Sequence, residues 1–136
     1  MATINAPTLQ DVQYSGPCPL AAAHGKITLA AAPIADKVRL VKLFAGTKIH
    51  DLRMVNAALG ASTTVSLGFE YVNGEAGGGA AALLAATNTV SAASTPGGVI
   101  PPLTLAYDAY VTATIGGGAA TGQLDVVLFI EPKGTL

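Results

Sequence analysis

The residues of this chain that could do chemistry are few and scattered. His24 and His50 are the only histidines and Cys18 is the only cysteine. His50 and Asp51 are adjacent, so on a regular strand they point to opposite faces and cannot chelate one ion together. Only a β-bulge at that point would bring them round. Neither an H-x-H pair nor a CxxC occurs, so the ligand spacing of a cupin-like or zinc site is missing. His24 reads as a turn residue. A lone cysteine excludes an intrachain disulfide, and Cys18 reads as a small buried or half-buried thiol. Gly46-Thr47-Lys48 lacks the full spacing of a phosphate loop and reads as a hairpin turn. The triple glycines at 77–79 and 116–118 lack the strand before and helix after that a dinucleotide fingerprint needs. Asp36, Asp51, Glu70, Asp108 and Asp125 could pair as in a glycosidase only by chance of folding, and solvated strand faces account for them. The expectation is therefore no enzyme, no catalytic residue, no cofactor and no metal.

The elements that would position such residues are strands. Thr64 to Tyr71 alternates cleanly, with Val65, Leu67, Phe69 and Tyr71 on one face and Thr64, Ser66, Gly68 and Glu70 on the other. Ala109 to Ile115 repeats the pattern. Gln123 to Glu131 places Leu124, Val126, Leu128 and Ile130 inward, while Val127 and Phe129 beside Asp125 make its other side partly apolar, as in a strand covered on both faces. Lys26 to Ala30, Lys37 to Phe44, Lys48 to Asn56 and Leu103 to Tyr107 are weaker strands. In Lys48 to Asn56 the apolar phase changes after Ile49, which predicts a bulge near His50-Asp51. Gly and Pro turns separate the runs. The sum is an all-β, single-domain antiparallel β-sandwich, a jelly roll of about eight strands. Residues 1–15 read as an N-terminal arm or edge strand. Residues 16–136 form the sandwich, with a long Gly/Ala-rich loop over 73–102 in which Ala80 to Ala86 could make one or two helical turns.

Composition narrows the function. With 136 residues and 13.5 kDa the chain suits one domain. Charged residues are 11% and the formal net charge is −1. There is no basic excess to neutralise phosphates, which argues against nucleic acid. The most apolar low-complexity stretch, Ala76 to Ala86, is too short to span a bilayer and holds three consecutive glycines, so no membrane is expected. Met1 to Pro7 has no basic start and no apolar run, so no signal peptide is expected either. A surface left to Ala, Thr, Gly and Ser is poorly guarded against association and suits a component of an assembly.

One segment carries a recognisable pattern. Asp36 to Leu52 reads D-x-V-R-L-x-x-L-x-A-G-x-x-I-x-D-L, and Leu59 to Gly68 reads L-G-A-S-x-T-V-x-L-G. In this pattern Asp36 to Phe44 and Ile49 to Val55 are expected to form a hairpin across Ala45-Gly46-Thr47. The run resembles the capsid cement or decoration proteins of tailed bacteriophages, of the small jelly-roll podovirus kind found in the Bordetella phage group. The resemblance implies a virion protein, made in the bacterial cytoplasm, that binds the outside of an HK97-type shell as a symmetric homodimer or homotrimer. Its partners would be the major capsid protein and itself. It transfers no catalytic residue. Contact is expected from the N-terminal arm (Thr3, Ile4, Gln10, Gln13, Tyr14), ordering only on the capsid, and from the long loop (Ala80, Leu83, Leu84). A phage tail or fibre module holding a glycan on Tyr107 or Tyr110 is the alternative.

Overall fold

The computed structural model describes residues 2–10, 20–97 and 102–131. Cys18, Gln13 and Tyr14 lie outside the described residues. Ten strands are described: β1 (Thr3–Asn5), β2 (Ala21–Ala32), β3 (Lys37–Leu43), β4 (Lys48–Asn56), β5 (Thr64–Tyr71), β6 (Gly79–Asn88), β7 (Ala93–Pro96), β8 (Leu103–Thr104), β9 (Ala109–Gly116) and β10 (Ala120–Glu131). They form two sheets, ordered β1-β3-β9-β5-β6 and β2-β10-β4-β7, with β8 pairing the start of β4. Every pairing is antiparallel except β1 with β3.

The pairings nest. Lys26 lies opposite Asp125, Val38 opposite Ala113, Ile49 opposite Leu103 and Val65 opposite Thr87. Each step inward along the first half of the chain is matched by a nearly equal step back along the second. The chain is one long antiparallel ribbon, closed by the turn between β5 and β6 and rolled up so that its inner side faces itself. This is the jelly roll expected from the strand pattern. Its eight main strands are joined by two short ones, β1 and β8.

Alternation explains the core. Leu40 on β3, Leu52 on β4, Leu67 on β5 and Leu128 on β10 are fully buried between the sheets, each contributing about 1.5–3 kcal/mol. β4 faces its partner without a partner residue for His50: Phe129 pairs with Asp51 and Ile130 with Ile49. His50 is thus the extra residue of the bulge that the phase change predicts.

Several expectations are corrected. β3 and β4 do not form a hairpin. They lie in opposite sheets, joined by a crossing turn whose Gly46 N–H donates to the Leu105 carbonyl (2.9 Å) and whose Ala45 N–H donates to Asp108 Oδ1 (2.8 Å). Period two shows which side chains turn inward, but both sheets have an inward face. Segment 73–102 is not an irregular loop, because it carries β6 and β7, and Ala80 to Ala86 is extended rather than helical. His24 sits within β2, and of Leu103 to Tyr107 only Leu103–Thr104 is strand. Of the two readings of the N-terminal segment, arm or edge strand, described residues 2–10 take the second. β1 lies along β3, Ala6 and Leu9 are buried, and the buried Asp36 accepts the Ala2 N–H (3.1 Å). Thr8 Oγ1 donates to the Leu40 carbonyl (2.8 Å) and accepts the Lys26 N–H (3.2 Å), stitching β2 to β3 across the edge of the sandwich.

Where β6 meets β5, Leu67 pairs with Leu84 and Phe69 with Gly79. Only Gly68 on β5 stands against Ala80 to Leu83 on β6, so β6 bulges outward. Residues 78–80 press on the β5 backbone, and a Cβ at Gly68 would overlap the Gly79 carbonyl oxygen. Across the same face, Glu70 accepts from Lys37 Nζ (2.7 Å) and from Arg39 Nε (2.8 Å), clamping β5 to β3 over the intervening β9. Partial burial raises the Glu70 pKa. The hydrogen bonds and charges of Lys37 and Arg39 outweigh it and leave the carboxyl below its ordinary range.

Two outcomes are expected. Gly68→Ala should cost about 1–3 kcal/mol through a displaced β6, read as a lower urea midpoint. Glu70→Gln should cost about 1 kcal/mol at pH 7. Because the folded-state pKa is depressed, the stabilisation is complete above the unfolded-state value and is lost as pH falls through the folded one. The stability gap between wild type and Glu70→Gln should therefore close in that acid window, which urea titrations across pH measure.

Candidate interaction surface

The described residues offer three surfaces. The first is the outer face of the β2-β10-β4 sheet. Val127 is at its centre, in register with His24 on β2 and Arg53 on β4. One step along β10 lie Ala22, Phe129 and Asp51; one step the other way lie Lys26, Asp125 and Val55. Val127 and Phe129 are half-buried and Val55 is 41% exposed. Charges of both signs surround this apolar centre. His24 Nε2 lies 3.2 Å from Asp125 Oδ2, and His50 Nε2 lies 3.0 Å from Glu131 Oε2. Leu20, His50, Asp51, Phe129 and Glu131 line a shallow depression at one end. His50 and Asp51 thus come near Glu131, yet among the described residues no three His, Cys, Asp or Glu side chains are placed to hold a metal ion.

The second surface is the outer face of the other sheet. Its Lys37, Arg39 and Glu70 are joined as described, and Arg39 stacks on Tyr110 at 4.6 Å. Ser66 and Thr112 are buried there beside Gly68. Ala80, Ala81 and Ala82 stand exposed on the β6 bulge, whereas Leu83 and Leu84 turn into the core. Of the expected loop contacts only Ala80 is at the surface. In the N-terminal segment Thr3 and Gln10 are exposed and Ile4 packs partly against the core.

The third is the loop end where β3 joins β4 and β8 leads to β9. Phe44 is 61% exposed and Tyr107 48% exposed. Tyr107 packs edge-on against Tyr71 at 5.2 Å, and Lys42 lies over Phe44. The Val72 N–H donates to the Asp108 carbonyl (2.9 Å), so these loops are fastened to each other. Asp36 and Asp108, read from the sequence as solvated carboxylates, instead fasten the backbone of Ala2 and Ala45. Residue type does not reveal such work, because the hydrogen bonds span more than thirty residues. The apolar outer side of β10 was the one signal in the sequence for the first surface.

No protein-family model matches the chain, and no curated protein matches it in sequence. Solved structures do resemble it. A chain in the capsid of Ralstonia phage GP4 aligns with a TM-score of 0.70 and 16% identity, over 98% of this chain and 99% of its own. A chain of the cyanophage Pam1 capsid asymmetric unit aligns with a TM-score of 0.65 and 14% identity, over 89% and 94%. A chain in the acidic stable capsid structure of Helicobacter pylori bacteriophage KHP30 gives 0.60 and 17%, over 85% and 90%. At these identities the likeness is one of fold.

Proposed function

We propose that the chain is a structural virion protein that binds the outer surface of an HK97-type phage capsid and stabilises the shell. The observation that carries this reading is the end-to-end match with a chain of a phage capsid structure, 98% of one and 99% of the other. The cement-protein resemblance of Asp36 to Gly68 supports the same reading. The surface suits it too. Short side chains lose little rotamer freedom when they dock. The major capsid protein is the proposed partner, and a symmetric homo-oligomer is the proposed form. Thr3, Gln10 and Ala80, with Gln13 and Tyr14 further along the N-terminal segment, are the proposed lattice contacts.

Stabilisation follows from mass action. A protein that binds the assembled lattice and not its free subunits adds about 2.7 kcal/mol per site at a free concentration about a hundred times its Kd. Repeated over a shell, that resists the outward pressure of packaged DNA. The role needs no bond made or broken by the chain itself.

Virions lacking the protein should release DNA at a lower temperature than complete ones, as read by dye access during heating. Adding back the purified chain should restore the difference. Release temperatures that do not change would overturn the stabilising role. Glycan binding that disappears in Tyr107→Ala would favour the tail or fibre reading instead.

A further inference from the structure

We infer that the outer face of the β2-β10-β4 sheet is a two-fold self-association surface whose occupant is a second copy of this chain. This names the surface behind the proposed oligomer, and purified protein tests it without a capsid.

The inference rests on the positions of charges in the strand register. The nine outward residues form three rows: Ala22, Phe129, Asp51; His24, Val127, Arg53; Lys26, Asp125, Val55. A two-fold axis lying in the face along the Ala22–Val127–Val55 diagonal turns this array over onto itself. It sets Lys26 against Asp51 of the second copy and Asp125 against Arg53 of the second copy. His24 meets Phe129 of the second copy, and Ala22, Val127 and Val55 meet themselves at a small apolar centre. The other simple axes fail. One along the strands opposes His24 and Arg53. One across them opposes Asp125 and Phe129, and one along the Lys26–Val127–Asp51 diagonal sets Lys26 and Asp51 each against its own copy. The diagonal axis crosses the two sheets near a right angle, a known packing mode. Strands about 4.8 Å apart, with same-face residues about 6.8 Å apart, make the array slightly oblong. The flexible Lys and Arg stems absorb that difference.

Charge balance singles out this face. It carries Lys26, Lys48 and Arg53 against Asp51, Asp125 and Glu131, so two copies do not repel. None of those three cations has an ion pair within the chain among the described residues. The strands of the opposite sheet present Lys37, Arg39 and Lys42 against Glu70, a like-signed excess that would repel a second copy. An apolar centre inside a polar rim is also the usual anatomy of a protein interface.

Sedimentation equilibrium of the purified chain tests the inference. Wild type should dimerise, less tightly at high salt. Lys26→Glu and Asp51→Lys should each weaken association about tenfold or more, because each places two like-charged pairs in one interface. The double variant Lys26→Glu/Asp51→Lys should recover most of the loss. Val55→Arg, which puts like charges together at the axis, should leave monomers, while Lys42→Glu on the other sheet should change nothing. All these side chains reach solvent, and thermal melting by circular dichroism verifies that each variant folds. A wild type that stays monomeric up to millimolar concentration would overturn the inference. So would a dimer indifferent to the single changes, or a double variant no better than either single. A dimer that behaves as expected but does not bind shells would leave this surface standing and remove the capsid reading.

Discussion

The fold depends on one constraint: two halves of the chain must pair with each other in a nested antiparallel register. Ala23 opposite Leu128, Val38 opposite Ala113 and Leu67 opposite Leu84 belong to one continuous ribbon. Each pairing hydrogen-bonds two strands and points alternate side chains inward. Rolling the ribbon brings the inward sides of the two sheets together, so one decision about register sets both the ladder and the core. A slip by one residue in β10 would expose Leu124, Val126, Leu128 and Ile130 together. The bulges at His50 and at Ala80 to Leu83 absorb unequal arm lengths without breaking that phase.

The loop ends hold the roll closed. At one end Asp108 binds Ala45 through its side chain and Val72 through its carbonyl. At the other, Thr89 Oγ1 donates to Thr63 Oγ1 (2.9 Å) in a buried contact, and Asn56 Nδ2 donates to the carbonyls of Ala57 and Ser91. Ala35 and Ser62 hold left-handed conformations at this second end, with φ of 73° and 62°. Residues other than glycine enter that region only where their surroundings enforce it. There the Ala35 N–H is bound to the Ile115 carbonyl.

The strands with the cleanest alternation were legible from the sequence, because β5, β9 and β10 each put one apolar face into the core. The bulge at His50 was legible for the same reason, as a break in phase. Pairing was not. The inward pattern of β3 and β4 is the same whether they sit side by side in one sheet or lie in two, and the structure has them in opposite sheets. Nor was β6. Ala and Gly carry weak strand preference, and its bulge disrupts the period that would have announced it. Of the candidate contacts, Leu83 and Leu84 failed as surface residues because strand β6 needs them to close the core beside Leu67. Charge work was the least legible. The clamp on Glu70 and the cap by Asp36 join residues remote in sequence, and nothing local distinguishes them from solvated acids.

The two outer faces then differ for a reason rooted in the ribbon. On one sheet the turn that closes the ribbon runs straight into the β6 bulge, which lays residues 78–80 against Gly68. Its charges are drawn into the Lys37–Glu70–Arg39 clamp. That face is partly consumed by its own chain. The other sheet has the outermost strands of the ribbon, β2 and β10, at twelve residues each the longest described. They need no covering turn, so Val127, Phe129 and Val55 keep an open face, and the neighbouring Lys26 and Arg53 have no ion pair among the described residues. A ribbon rolled in this way spends one outer face on itself and leaves the other open.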